Sequence, residues 1–470
     1  MQTEKVTPNI SNFVKSLRDV GYSYEIAVAD IIDNSISASA SRVMIYTVPE
    51  PEIILAILDN GTGMTNNELI EAMRLASRDP EKERDKNDLG RFGLGLKTAS
   101  FSQCKKITVI SKKYNHISAK RWDLDFISEK NEWLLITPSD YERLPMFREL
   151  NKYSSGTLVV WENLDRFKKQ NYSDSIERLR QHLSLVFHRF MDGSTSFSRL
   201  EISINDNVIK PFNPFNTEHP ATQCISEEKI KLYDSEIIVA PYILPHHSKI
   251  SQQEYERYAT EEGYTKSQGF YLYRANRLLI YGTWWGMHRA IDAHKLVRVK
   301  IEIPNNKDFL WGIDIKKSSA SPADEIKNDL KRIIRQITEK GSRPYTGRGK
   351  KIKDASVTKF WHLRPVDRDI RFVLNQTHPL YERLTTGLDK SDFELLDLYL
   401  KGLQAYLPLE AIQAQLQQNP HNVNQEELLT KEDKENLATL LKAGGLSQVY
   451  IDNLLRTEIF RNNKELLIDK

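Results

Sequence analysis

One turn of helix constrains this chain more than any other feature. From Tyr24 to about Ala40, apolar residues recur at helical spacing through Ile26, Ala27, Ile31 and Ile32. The stretch DIIDNS, residues 30–35, sets Asp30, Asp33 and Asn34 among them. Three acceptor-rich side chains in one turn are costly to bury unless something uses them. Whatever the fold, it must bring a user to that turn.

The surrounding pattern points to a mixed α/β architecture. Strand-like runs lie at 42–48 (RVMIYTV) and 52–59 (EIILAILD), and DNGTGM breaks the second. A helix is expected at 66–77, then a highly charged loop at 78–88, then GRFGLGLKTAS opening a helix near residue 94. ITVIS at 107–111 and TLVVWE at 157–162 read as strands, and 174–191 as a helix. The texture then changes. LEISINDNVIK at 200–210 and GFYLYRANRLLIYG at 269–282 look like hairpins, and LVRVKIEIP at 296–304 alternates as a strand with one wet face. A helix starts near Ser321 with Pro322 in its first turn. SRPYTGRGKKIK reads as a basic linker too rich in glycine for a helix, and the chain beyond about 390 reads as helical. Its apolar stripes, with Leu395, Leu396, Leu400, Leu403 and Leu407, suggest a small helical core or a docking bundle. Thr430-x-x-Asp433 reads as a helix start and Gly444-Gly445 as a stop.

Composition bounds the setting. The 470 residues suffice for about three domains. No apolar run approaches the roughly 18 residues of a membrane span, and MQTEKVTPNI lacks the apolar core of a signal peptide. The two cysteines, Cys104 and Cys224, have no metal-ligand spacing. A reducing cytoplasm with no membrane contact is expected. The net charge of +3 is uneven: residues 340–371 carry 10 basic and 3 acidic residues, whereas 376–470 carry 10 basic and 15 acidic. The basic stretch, interleaved with Tyr345, Phe360, Trp361 and His362, reads either as a phosphate-backbone contact surface or as a solvated linker.

Taken singly, Asp59-x-Gly61-x-Gly63 and Gly90-x-x-Gly93-x-Gly95 are ordinary turns. Their order is what matters: an Asp-x-x-x-Asn helix, an Asp-x-Gly-x-Gly turn, a charged loop, a Gly-rich turn into a helix, and Ser155-Gly156-Thr157 on a strand. This series resembles the Bergerat ATP-binding fold of the GHKL ATPases (gyrase B, Hsp90, histidine kinases, MutL), and within them the MORC-type branch. DIIDNS, DNGTGM and GRFGLGLKTAS carry the likeness, and HLSLVFHRFM at 182–191 and GFYLYRANRLL at 269–279 extend it across roughly residues 10–340.

The resemblance implies bound ATP and Mg²⁺. Asp30 would be the general base and Asn34, four residues on and so on the same helix face, the magnesium ligand. Asp59 would accept from the adenine amino group beside Gly61, Gly63 and Met64, with Thr157 completing recognition through a water. Gly90, Arg91, Phe92, Gly93, Leu94, Gly95, Leu96 and Lys97 would line the phosphates at a helix N-terminus, under a lid at 78–88. The family usually has Glu where this chain has Asp30, which withdraws the carboxylate by roughly 1.5 Å and implies slow turnover. A lysine from a second domain would reach the γ-phosphate, with Lys316, Lys317 and Lys307 as candidates and Lys316 preferred.

The implied architecture is an arm at 1–22, an ATP-binding α/β sandwich at 23–195, a ribosomal-protein-like β-α-β transducer at 196–340, a basic linker at 341–375 and a helical domain at 376–470. The implied function is an ATPase whose ATP-dependent homodimer clamps double-stranded DNA through 340–371, in a bacterial DNA-processing or anti-phage system beside nuclease or helicase subunits. The alternative is an Hsp90-like, protein-directed ATPase without DNA contact. A histidine kinase is disfavoured, because the nucleotide motifs begin at residue 30 and leave no room for a phosphorylated dimerisation helix before them.

Overall fold

The period-2 burial of the first strands sets the architecture. In the computed structural model, which describes residues 3–4, 9–75, 77, 95–195, 197–232, 235–260, 263–304, 311–314, 319–351, 357–366, 369–418, 423, 425 and 428–468, the chain forms two units. These are residues 1–245 with 258–338, and residues 246–257 with 339–470.

The first unit opens with α1 (Ile10–Arg18) and α2 (Tyr24–Ser37), followed by the antiparallel pair β1 (Arg42–Val48) and β2 (Ile54–Asp59). Helices α3 (Asn66–Met73) and α4 (Gly95–Gln103) precede β3 (Lys106–Lys113) and β4 (His116–Asp123). Next come α5 (Leu124–Lys130), α6 (Phe147–Asn151), β5 (Gly156–Glu162), α7 (Tyr172–Val186), α8 (His188–Asp192), β6 (Glu201–Ile204) and β7 (Asn207–Val208). The sheet order is β4-β3-β5-β2-β1-β6-β7. Alternate strand residues Val43, Ile45, Leu55, Ile57, Ile107, Val109, Val159 and Trp161 share one core with α2, α4 and α7. Their in-between neighbours Ala56, Leu58, Ile110, Leu158 and Val160 pack with Phe147 and Leu150 of α6. One helix layer is thick and the other thin. That is why α2 is buried over most of its length.

Three expectations for this part of the chain need correction. The arm expected at 1–22 to dock elsewhere packs in part on its own chain: α1 buries Val14, and the Arg18 guanidinium donates to the Phe101 carbonyl at 3.0 Å and pairs with Asp165. The helix expected at 174–191 breaks at Phe187 into α7 and α8. A boundary at 195 would cut the first sheet, because β6 returns to pair in parallel with β1, Arg42 opposite Glu201 through Ile45 opposite Ile204.

The second sheet contains β8 (Gln223–Cys224), β9 (Glu228–Leu232) and β10 (Ser235–Ile243); after α9 (Gln252–Ala259) it adds β11 (Gly269–Arg274), β12 (Arg277–Thr283) and β13 (Val297–Ile303). The order is β12-β11-β13-β10-β8, with β9 on β10 and β11 parallel to β13. The expected hairpins are present. They turn at Asn205-Asp206 and Ala275-Asn276, all four residues at positive φ. The wet face expected on β13 is not uniformly wet: Arg298 is fully buried, donating to the Tyr258 carbonyl at 2.7 Å and to the Pro214 carbonyl.

Helix α10 (Asp324–Lys351) runs through the stretch expected to be a non-helical linker. Its apolar stripe, Ile326, Leu330, Ile333, Ile334 and Ile337, is buried. Once a helix is nucleated on such packing, each further residue is cheap to add. The remainder of the expected linker contains the antiparallel strands β14 (Trp361–Val366) and β15 (Asp369–Leu374). Helices α11 (Pro379–Thr385), α12 (Lys390–Ala405), α13 (Leu409–Gln418), α14 (Lys431–Ala443) and α15 (Gln448–Leu454) follow. Thr430 and Asp433 form the expected capping box of α14, and Gly444 its C-cap. Of the two readings of the leucine stripe, a helical core and a docking bundle, the first does not hold for α12. α12 buries no residue and Leu395 is 69% exposed, whereas Ala438, Leu441, Leu454, Phe460 and Leu467 form the core of this unit. Among the described residues, no helix is long and apolar enough to cross a membrane.

Candidate functional site

The end of β2 carries a buried carboxylate held on three sides. Asp59 Oδ1 accepts from the Gly61 N–H at 2.9 Å, and Oδ2 accepts from the Ser35 hydroxyl at 3.0 Å. The Thr157 N–H, opposite in the β2–β5 register, also donates to it. Burial pushes the Asp59 carboxyl up to about 6, and these three donors pull it down. The Thr157 hydroxyl shares a 3.0 Å hydrogen bond with Ser111 of β3, whose oxygen accepts from the Met64 N–H at 2.8 Å. Gly61 and Gly63 are required here by crowding from the chain itself. A Cβ on Gly63, at φ +65°, would sit 2.0 Å from the Lys112 carbonyl oxygen, and one on Gly61 would sit 2.8 Å from that of Ala38. The loop is thus clamped to β3 and to the end of α2, with Ser155 donating to the Gly61 carbonyl at 2.8 Å.

One and a half turns before Ser35, Asp30 is buried, and its Oδ2 accepts from the Tyr22 hydroxyl at 3.1 Å. Gly95, the first residue of α4, adjoins the same oxygen: a Cβ there would lie 3.8 Å away. Asn34 is exposed, and its amide nitrogen donates to the Asp30 carbonyl at 3.1 Å. Its amide oxygen is therefore the atom left for an outside partner. Leu96 is half-buried against the main core. The buried Lys97 ammonium donates to the Ala72 carbonyl at 2.9 Å, so in this structure its charge meets the C-terminal end of α3.

On the next face of α2, Asp33 Oδ1 accepts from Arg277 Nε at 2.8 Å, with both side chains at most 4% exposed. Arg277 stands at the start of β12, in the second sheet, and also donates to the Leu278 carbonyl at 2.9 Å. Its guanidinium lies over the Phe187 ring, 5.3 Å from the centroid. Burial, and secondarily the Arg277 charge, lowers the neighbouring His182 to about 3, which keeps that imidazole neutral.

Comparison with known proteins agrees with this geometry. Residues 22–157 match the family described as histidine kinase-, DNA gyrase B-, and HSP90-like ATPase. The match begins at Tyr22 and ends at Thr157, two residues of the arrangement just described. Residues 22–157 are thus a GHKL-type ATPase domain, and stretches of the chain are similar to MORC ATPases. A 147-residue stretch is 29% identical to ATPase MORC2B of Mus musculus, and 117 residues are 28% identical to ATPase morc-1 of Caenorhabditis elegans. These stretches cover 29% and 25% of this chain but only 14% and 13% of those relatives, so the likeness is one of domain rather than of whole protein.

Within this GHKL domain the structure brings Asp30, Asn34, Asp59, Gly61, Gly63, Met64, Gly95, Leu96, Lys97 and Thr157 into one lobe. The expected phosphate residues Gly90, Arg91, Phe92, Gly93 and Leu94, the lid at 78–88, and the candidate lysines Lys307, Lys316 and Lys317 lie outside the described residues. Among the described residues there is no cluster of three or more His, Cys, Asp or Glu that could hold a metal alone. One amide oxygen from Asn34 suits Mg²⁺, which keeps several waters and takes substrate phosphate oxygens. Tyr22, Ser35, Ser111 and Arg277 were not among the expected site residues. Ser35 closes the DIIDNS motif and could have been found there, two residues before the end of α2. The others gave no local signal.

Proposed function

We propose that this protein binds Mg·ATP in its GHKL domain and hydrolyses it to ADP and phosphate, driving an ATP-dependent homodimer that works as a clamp or switch on DNA. The observation that carries the reading is the arrangement along α2. One helix holds Ser35 against the adenine-end carboxylate Asp59, Asn34 with a spare amide oxygen, and Asp30 beside the start of α4. In use, Asp59 would accept the adenine amino proton and Thr157 would support the ring edge. Asn34 would hold Mg²⁺, which when bound neutralises phosphate charge. Asp30 would take the proton from the attacking water while the γ-phosphoryl leaves ADP. The 90–97 turn would supply N–H donors to the phosphates. Lys316, the preferred of the candidate lysines, would complete the charge at the γ-phosphate.

The positive charge between 340 and 371 supports DNA as the target; the cytoplasmic, DNA-processing or antiviral setting and the nuclease or helicase partners are carried by the family resemblance alone. The test is the steady-state ATPase rate of the full chain with and without long double-stranded DNA, at two salt concentrations. Stimulation that fades as salt rises is expected. A rate indifferent to DNA would transfer the reading to a protein client. Asp30→Asn should lower kcat by about 10² or more while ATP still binds. An unchanged kcat would remove Asp30 from the role of base.

A further inference from the structure

The shortened carboxylate at position 30 needs something to hold it. An aspartate has one fewer torsion than a glutamate, but its terminal torsion is broad and roughly two-fold, so an unrestrained carboxylate samples many orientations. Here the Tyr22 hydroxyl donates to Oδ2 of Asp30 at 3.1 Å, and the residue that holds the base is itself held on several sides. The Tyr22 side chain is buried in the main core. Its carbonyl accepts from Gln103 Nε2 at 3.2 Å, and the Thr98 hydroxyl hydrogen-bonds to the phenol. Gln103 and Thr98 are both buried and both on α4, the helix that begins at Gly95 beside Asp30. Tyr22 therefore ties α2 to α4 where Asp30 adjoins Gly95. Burial, with the Asp30 charge next, raises Tyr22 far above the ordinary phenol range, so it stays a proton donor at every working pH.

We infer that Tyr22 is a positioning residue for ATP hydrolysis: its hydroxyl fixes the Asp30 carboxylate in the orientation that receives the proton of the attacking water. The inference rests on Asp30 being the base. It adds that the base functions through Thr98–Tyr22–Asp30, so that a shift of α4 on binding phosphate reaches the carboxylate through one hydroxyl. Tyr22 touches neither nucleotide nor water in this scheme. A plain core tyrosine that finds a convenient acceptor predicts different kinetics.

The test uses the full chain. Tyr22→Phe keeps the ring and its packing and removes only the hydroxyl. The expected result is a fall in kcat of about tenfold, the lower range for misplacing a proton-transfer group, with KM for ATP and the affinity for a non-hydrolysable ATP analogue unchanged. In an Asp30→Asn background, Tyr22→Phe should add almost nothing, since the two would act as a unit. Thr98→Val removes the outer link without touching the phenol or the base, and should reduce kcat by about two- to fivefold. It serves as the second variant should Tyr22→Phe fail to fold. A kcat unchanged in either folded single variant, or losses that multiply in the double variant, would overturn the inference. The two readings fail differently. If Asp30→Asn keeps full kcat, the base assignment falls and this inference with it. If Asp30→Asn is inactive and Tyr22→Phe is not, only Tyr22 loses its role.

Discussion

The two ends of α2 are built in different ways. At its C-terminal end, Ser35 meets Asp59 and Thr157 through strands already locked in register, and Gly61 and Gly63 are wedged against backbone. Strand register and backbone crowding fix most of that end, with short hydroxyl side chains completing it. In the middle of the helix, Asp30 is held by Tyr22, eight residues away, and Asp33 by Arg277, 244 residues away in another sheet. Side chains from separate elements fix that part. On the proposed function, the first arrangement would make a rigid purine site. The second would make catalytic groups whose placement depends on where α4 and β12 lie, which would suit a domain that must register phosphate and pass the signal on.

The largest effect should come from cutting the long-range link. Arg277→Met would remove the buried guanidinium that pairs with the buried Asp33 carboxylate, a loss of about 3–5 kcal/mol. Thermal unfolding should show a marked drop in midpoint, and the double variant Asp33→Asn/Arg277→Met should recover much of it, because the buried carboxylate charge is gone. A midpoint unmoved by Arg277→Met would mean that the two sheets do not depend on this pair, and the contrast between the ends of α2 would lose its main support.

That contrast also explains what could be read from the chain. The adenine end was legible because its residues sit in short motifs at strand ends, where Asp-x-Gly-x-Gly and Ser-Gly-Thr mark turns whose neighbours follow from sheet pairing. The mixed α/β class was legible from period alone. Arg277 was not: a hairpin arginine carries no mark of a partner 244 residues earlier. Tyr22, next to the N-cap Ser23, reads as one more core aromatic. Lys97 follows a glycine-rich turn, yet its ammonium ends on the Ala72 carbonyl, a choice set by the packing of α3. The apolar stripe of α12 promised burial, but period reports only that residues share a face and not that anything covers it. The charges and Pro365 of WHLRPV likewise hid the alternation of β14.

The adenine end should show its rigidity as a pH effect with two opposite signs. Asp59 titrates near 6 in the free protein, above the ordinary carboxylate range, because burial penalises its charge. A carboxyl raised on folding contributes stability that is fully present below its unfolded value and is lost as pH rises through about 6. Adenine recognition runs the other way, since the amino group prefers the ionised acceptor. Adenosine, which has no phosphate to titrate, should bind progressively less well below pH 6, approaching tenfold per unit. Asp59→Asn should flatten that profile. A wild-type profile level from pH 5 to 8 would show that another group accepts the purine.

The smallest predicted effect tests the donors around Asp59 one at a time. The Ser35 hydroxyl stabilises the charged form of Asp59, so its removal should raise the carboxyl further. Ser35→Ala should therefore move the acidic midpoint of adenosine binding to higher pH. It should cost about 1 kcal/mol of affinity near that midpoint, the usual net worth of one hydrogen bond, and little at pH 8, where the carboxylate is ionised in both proteins. Because the Gly61 and Thr157 N–H donors belong to the backbone, they survive the substitution and limit the shift. A loss of affinity equal at all pH values would mean that Ser35 acts on the ligand directly. A midpoint that stays put would mean that the backbone donors alone set Asp59, and the adenine end would then be even more completely a property of the fold.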